Sequence, residues 1–279
     1  MTRILLTGST GFVGSQVLSA LLEEGSEVTV TLRPGQKPPS GVKSIYISDL
    51  FAETADFWKA ACENHSKVIH VAWYTEPGRY LHSTRNLDCL AGTIRLAQGA
   101  MAAGVTHFQG IGTCFEYDLK TEALARRNPL AVDDPLAPAT LYGAAKAAAF
   151  IALSRNTGHM NFAWSRLFYL HGTGEDSRRL VPYIHAQLSA GKPVELTTGS
   201  QWRDFLDVTE AGRQIAAVTL KGMTGAQNIC SGHPITVADL AMSIANVYRR
   251  KDLVRLGARP DRADDPPFVV GIPSMKARP

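Results

Sequence analysis

The sequence predicts an α/β fold: a doubly wound parallel sheet with helices on both faces, followed by a smaller C-terminal lobe. Three observations carry this. Short apolar runs alternate with helical patterns through the first 168 residues, the runs are apolar enough for strands buried on both faces, and a glycine-rich turn joins the first run to the first helix. Such alternation makes neighbouring strands parallel, because each crossover helix returns the chain to the same end of the sheet. With 279 residues, 45% apolar and 19% charged, the chain can build a sizeable core, which excludes global disorder.

The first strand is Arg3–Thr7 (RILLT), stopped by Gly8. Phe12–Glu24 then places Val13, Val17, Leu18, Leu21 and Leu22 at helical spacing, and Gly25 ends it. Glu27–Leu32 (EVTVTL) is the second strand, and the Pro/Gly-dense stretch Arg33–Gly41 is a loop. Further strands are expected at Ser44–Ile47, Val68–Ala72, His107–Ile111 and Phe162–Leu167. Helices are expected between them at Ala55–Asn64, Leu87–Ala103 and Leu141–Ser154. After about Tyr169 the alternation loosens and the smaller lobe begins.

Several function classes fall away on composition. The net charge is +4, from 29 basic and 25 acidic residues spread along the chain, so there is no basic stripe for nucleic acid. Cys62, Cys89, Cys114 and Cys230 lie far apart with no CxxC pair and no histidine cluster. Neither a metal site nor a disulfide framework is expected, and a reducing cytoplasm fits. No apolar run reaches the roughly 18 residues of a membrane span, and Met1 leads directly into a strand, so neither a membrane span nor a signal peptide is expected.

The motif Thr7-Gly8-Ser9-Thr10-Gly11-Phe12-Val13-Gly14 sits where a strand turns into a helix within a strand–helix–strand unit. In that setting each glycine has a physical task. Gly8 allows the tight turn, Gly11 lets the backbone approach a pyrophosphate, and Gly14 lets the helix pack closely on the sheet. The helix N-terminus then offers unpaired N–H groups to phosphate. This is a dinucleotide site of the Rossmann type, in residues 1–168, with residues 169–279 as a substrate-binding lobe intertwined with it. A site for NAD(H) places Asp or Glu at the end of the second strand to take the ribose 2′-hydroxyl. Here the residues are Leu32-Arg33, and a guanidinium suits a 2′-phosphate. NADP(H) is preferred, with NAD(H) possible.

Tyr142 and Lys146 stand four apart at the start of a helical run, so both side chains reach one cleft. A nearby ammonium is expected to lower the phenol's pKa and so make proton exchange feasible. With the glycine motif upstream, the pair resembles the extended short-chain dehydrogenase/reductase family, in the branch that works on nucleotide sugars. The resemblance runs from Arg3 to at least Val208. It implies that Tyr142 is the acid/base and that Lys146 tunes it and binds the nicotinamide ribose. It also implies that Thr113, in Gly112-Thr113-Cys114-Phe115-Glu116-Tyr117-Asp118, holds the substrate oxygen.

Other positions carry the resemblance further. Ser48-Asp49-Leu50 matches the family's adenine-contacting turn, and Val71-Ala72-Trp73 with Phe168 lies where the backbone passes the cofactor. His70 alone is expected to be a packed core histidine. Arg203, in Arg203-Asp204-Phe205-Leu206-Asp207-Val208, is implied as a donor to the diphosphate of a nucleotide sugar, with Arg262 as a second cation.

The departures narrow the reaction. Family dehydratases carry Asp-Glu directly after the Thr, whereas here Cys114 and Phe115 occupy those positions and Glu116 comes one residue late. Tyr169 replaces the family's Asn after the sixth strand, implying a different contact to the sugar. The resemblance therefore implies an NADPH-dependent reductase of a nucleotide-linked (dTDP-, CDP-, UDP- or GDP-) 4-keto-6-deoxyhexose. A nucleotide-sugar epimerase and a non-catalytic NADP(H)-sensing protein are the alternatives. Family members usually have a larger C-terminal lobe than the one that ends here in a Pro- and Arg-rich tail. The long helices Leu87–Ala103 and Leu141–Ser154 resemble those of a four-helix homodimer interface.

Overall fold

Residues 2–120, 127–155 and 158–275 are described by the computed structural model. Six strands follow the expected alternation: β1 (Arg3–Thr7), β2 (Glu27–Leu32), β3 (Lys43–Tyr46), β4 (Lys67–His70), β5 (His107–Thr113) and β6 (Asn161–Leu167). All their pairings are parallel, in the spatial order β3-β2-β1-β4-β5-β6. Successive residues of β1 serve opposite faces. Ile4 and Leu6 pack beneath α1 (Phe12–Glu23), while Leu5 packs beneath α2 (Ala55–Cys62), α3 (Arg85–Ala102) and α4 (Leu141–Arg155). That two-residue period explains why the strands look uniformly apolar: both faces are roofed.

Two strand ends differ from expectation by two residues, for local reasons, and the other differences are of one residue. Strand β4 stops at His70 because Val71 donates its N–H to the Thr7 carbonyl at 3.2 Å and Ala72 to the Thr7 hydroxyl at 3.3 Å. Residues 71–73 are thereby drawn across the end of β1. Strand β5 runs two residues longer than expected, since its pairing with β6 continues to Thr113 opposite Leu167.

Beyond β6 the chain forms β7 (Tyr169–His171), α5 (Leu180–Ser189), β8 (Val194–Glu195) and β9 (Trp202–Asp207). It then returns to the large sheet through α6 (Val208–Leu220), which packs beside α1, and β10 (Gly225–Ile229), which pairs with β6 as a seventh parallel strand. This return is how the two parts intertwine. The lobe sheet is built around β9: β7 and β13 (Phe268–Val269) lie parallel to it and β11 (Pro234–Thr236) antiparallel. The two-residue β12 (Val254–Arg255) pairs with β8, and α7 (Val237–Val247) packs on α5 through Ala241, Ala245, Ile184 and Leu188. Buried Asp204 clasps the lobe, accepting from the N–H groups of Ser231 (2.7 Å), Gly232 (2.8 Å) and Gly271 (3.2 Å). The last four residues of the tail, 276–279, lie outside the described residues.

The sheet order reverses between β1 and β4, so chains leave their C-terminal ends in opposite directions and open a crevice there. The site lies in that crevice.

Candidate active site

Every site residue singled out from the sequence lines one cleft of about 1610 Å³ between the sheet's C-terminal edge and the small lobe. Its floor begins at the glycine turn. Gly8 has φ +76°, and a Cβ there would stand 2.6 Å from the Ala72 nitrogen. A Cβ on Gly14 would stand 2.0 Å from the Gly8 carbonyl oxygen. Both positions therefore demand glycine, one for conformation and contact and one for the approach of α1. Gly11 caps α1 without a side-chain bond, and the helix's first turn carries no acid. With Thr10, Phe12 and Val13 also on the cleft wall, the free backbone N–H groups form a cradle for phosphate oxygens.

From that cradle the wall runs to Arg33 at the end of β2, exposed, and to Asp49 and Leu50 after β3. Asp49 accepts the Phe51 N–H at 3.0 Å, which shapes the turn. Val71, Ala72 and Trp73 follow β4, and Phe168 follows β6 on the opposite side. These residues fit a nicotinamide dinucleotide: a cradle that side chains would fill, and no carboxylate at the end of β2. His70 does not reach the cleft. It is buried between the Thr7 (2.7 Å) and Thr93 (2.9 Å) hydroxyls, and burial pushes its pKa down to about 3, so it is a neutral core histidine.

Tyr142 and Lys146 share one face of α4, and Gly143 lets that helix press against the carbonyl of Phe115, 2.3 Å from where a Cβ would be. This approach brings the Tyr142 phenol beside Thr113, whose side chain acts on it, and both line the cleft. The electrostatics correct one expectation. Burial raises the Tyr142 pKa above its ordinary value. Lys146, buried, donates to the Ile111 carbonyl at 2.5 Å and lies 3.7 Å from the Trp73 ring centre and 5.9 Å from that of Tyr142. Burial lowers its pKa to about 7. The phenol is thus held protonated, the form a proton donor requires.

Glu116 is sealed beneath this pair. Its carboxylate accepts from Thr113 N–H (2.8 Å), Trp164 Nε1 (2.9 Å) and Arg166 Nε (2.8 Å), with both partners of the ion pair essentially unexposed. All its capacity is engaged in fixing the turn after β5, and it does not line the cleft.

On the sugar side lie Cys114, Phe115, Tyr169, Arg203 and Arg262. Burial pushes the Cys114 thiol up to about 12, leaving it unreactive at neutral pH. Phe115 and Tyr169 meet edge to face at 6.2 Å. The two arginines each have a carboxylate partner on this wall. Buried Arg203 holds Asp265 at 2.5 Å and the Trp202 and Pro266 carbonyls at 2.8 Å, so it fastens the segment before β13. Arg262, exposed at the rim, pairs with Asp264 at 3.0 Å.

The cleft residues that escaped the sequence reading include Gln36, Tyr80, Glu175 and Arg179. Tyr80 packs edge-on against Tyr142 with ring centres 4.9 Å apart, and the Arg179 guanidinium lies 5.9 Å from the Tyr80 ring centre. Glu175 is raised to about 7 by burial, with Oε2 unpartnered. The turn Gly172-Thr173-Gly174 before it was the available signal; Tyr80 and Gln36 sit in loops with none.

The family model for the NAD dependent epimerase/dehydratase family matches residues 4–230. The chain belongs to that family. Membership makes it an enzyme of the extended short-chain dehydrogenase/reductase type. Among curated relatives of this epimerase/dehydratase, the dTDP-6-deoxy-L-talose 4-dehydrogenase (NAD(+)) of Aggregatibacter actinomycetemcomitans is 23% identical across 96% of this chain and 99% of the relative. The dTDP-glucose 4,6-dehydratase of Streptomyces griseus is 26% identical across 86% and 76%. The solved UDP-N-acetylglucosamine 4-epimerase of Methanobrevibacter ruminantium M1 superimposes with TM-score 0.83 at 18% identity, covering 98% of this chain and 90% of that one, and shares the fold. Among the described residues no helix is long and apolar enough to cross a membrane, and no group of His, Cys, Asp and Glu is placed to hold a metal.

Proposed function

We propose that this epimerase/dehydratase-family enzyme catalyses NADPH-dependent reduction of the 4-keto group of a nucleotide-linked 4-keto-6-deoxyhexose. The observation that carries the reading is the contrast between two acids. Tyr142, protonated and beside Thr113, faces the cleft, whereas Glu116, where a dehydratase-like acid would be sought, is locked under it. A relative matched over nearly its whole length is named a 4-dehydrogenase of a dTDP-6-deoxy sugar, the same chemistry in the oxidative direction.

When bound, the nicotinamide cofactor supplies the hydride. The chain's own residues do the rest. Thr113 and Tyr142 bracket the carbonyl oxygen with two hydroxyls, so negative charge developing there meets donors already in place. Tyr142 passes its proton to that oxygen and becomes phenolate, which the Lys146 ammonium stabilises once charge appears. Phe115 and Tyr169 present apolar faces to the deoxy part of the sugar. Leu32 and Arg33 in place of an acid support NADPH; the names of two 4-dehydrogenase relatives specify NAD(+) and NAD(P)(+).

The exposed Leu87 (52%) and Ile151 (53%) on the outer faces of α3 and α4 support a homodimer through those helices. Four buried, unpaired cysteines support a cytoplasmic location. The test is incubation with dTDP-4-keto-6-deoxyglucose and either cofactor, following nicotinamide absorbance and the sugar product. Net NADPH oxidation with formation of a 6-deoxy sugar is expected. Interconversion of sugars without net oxidation would establish an epimerase, and dinucleotide binding without turnover a sensor.

A further inference from the structure

Gln36 sits in the turn after β2, closed by its own N–H on the Arg33 carbonyl at 3.1 Å. Both ends of its side-chain amide are engaged. Oε1 accepts the Arg33 backbone N–H at 2.9 Å, and Nε2 donates to the Thr10 hydroxyl at 3.4 Å. Thr10 belongs to the glycine turn, 26 residues earlier. The amide therefore bridges the two segments that wall the far end of the cleft, and all three residues line it.

We infer that Gln36 is a specificity-determining residue for the dinucleotide, selecting a 2′-phosphate over a 2′,3′-diol. The inference deepens the proposed function and rests on its dinucleotide reading. Its chemistry follows from the amide's inventory. One of the two acceptor sites of Oε1 is taken by a backbone donor, and the neutral amide oxygen is a weaker acceptor for ribose hydroxyls than a carboxylate would be. Nε2 carries two hydrogens, one of them directed to Thr10 at the long end of bonding range, so a donor remains for a phosphate oxygen. The exposed Arg33 guanidinium adds attraction from solvent, but Gln36 is the group held in place on this wall.

Replacing the amide by a carboxylate inverts this pattern. Glu at position 36 keeps the bond to the Arg33 N–H, repels a 2′-phosphate and accepts from ribose hydroxyls. Nicotinamide fluorescence titrations with NADPH and NADH on the wild type, Gln36→Glu and Gln36→Leu test it. Gln36→Glu should swing the NADPH:NADH affinity ratio toward NADH by roughly tenfold or more, whatever the wild-type ratio, and Gln36→Leu should weaken NADPH a few-fold while sparing NADH. Position 36 is on the surface turn, and unchanged thermal unfolding verifies that the fold is intact. An unshifted ratio in Gln36→Glu overturns this inference alone. Failure of the wild type to bind either dinucleotide overturns the proposed function instead.

Discussion

Replacing Glu116 by Gln separates a structural carboxylate from a catalytic one. The isosteric amide keeps an oxygen for Thr113 N–H and Trp164 Nε1 but turns an NH₂ group toward Arg166 Nε, so two donors face each other. Arg166, 1% exposed, is then left as a buried charge; its remaining partners, the Tyr117 hydroxyl and Val132 carbonyl, are neutral. Removing one member of a buried ion pair typically costs about 3–5 kcal/mol. With an unfolding entropy of about 2.1 cal/mol/K per residue over 279 residues, Tm should fall by roughly 5–9 °C. Differential scanning calorimetry reads that directly. Pairing the change with Arg166→Met removes the orphaned charge and should recover part of the loss. Below its transition the single variant should still turn over, because Glu116 does not reach the cleft. An unchanged Tm accompanied by loss of 4-keto-sugar reduction would refute the argument and make Glu116 an acid of the reaction.

Tyr142→Phe keeps the ring against Tyr80 but removes the transferable proton, so turnover of a 4-keto sugar should fall by about 10²–10⁴ while NADPH titrations change little. Gly14→Ala should weaken NADPH binding and lower Tm together, since its Cβ would press on the Gly8 carbonyl at 2.0 Å and displace the α1 N-terminus; an unaffected titration would show that the cradle is not the phosphate site. Acid should destabilise the fold through His70 and His107, whose pKa values burial lowers to about 3 and about 4. The unfolded chain takes up these protons near pH 6.5 and the folded one does not. Stability therefore falls as pH drops from about 6.5 toward 4, by about 1.4 kcal/mol per pH unit for each histidine. His107→Phe should flatten that slope in pH-dependent thermal melts.

The sheet and its cofactor end were legible in the sequence because their signals are local. A glycine turn between a buried strand and an amphipathic helix involves neighbouring residues only, and Gly8, Gly14, Tyr142 and Lys146 owe their placement to spacing along one element or one turn. The strands of the first half follow from a two-residue period that any reader of the chain can see. What joins distant segments was decided by tertiary structure. The seventh strand, β10, lies after a lobe that interrupts the alternation, and only its pairing with β6 returns it to the sheet. The fold brings Asp265, 62 residues later, against Arg203. Glu116 found Arg166, 50 residues on, and Gln36 found Thr10 across the mouth of the crevice. The protonation of Tyr142 belongs to the same class: spacing along the helix placed Lys146 on its face, but burial by several elements at once determines which way its pKa moves. Charge, hydrogen-bond capacity and solvation are properties of assembled surroundings, and one strand or helix contains too little of those surroundings to determine them.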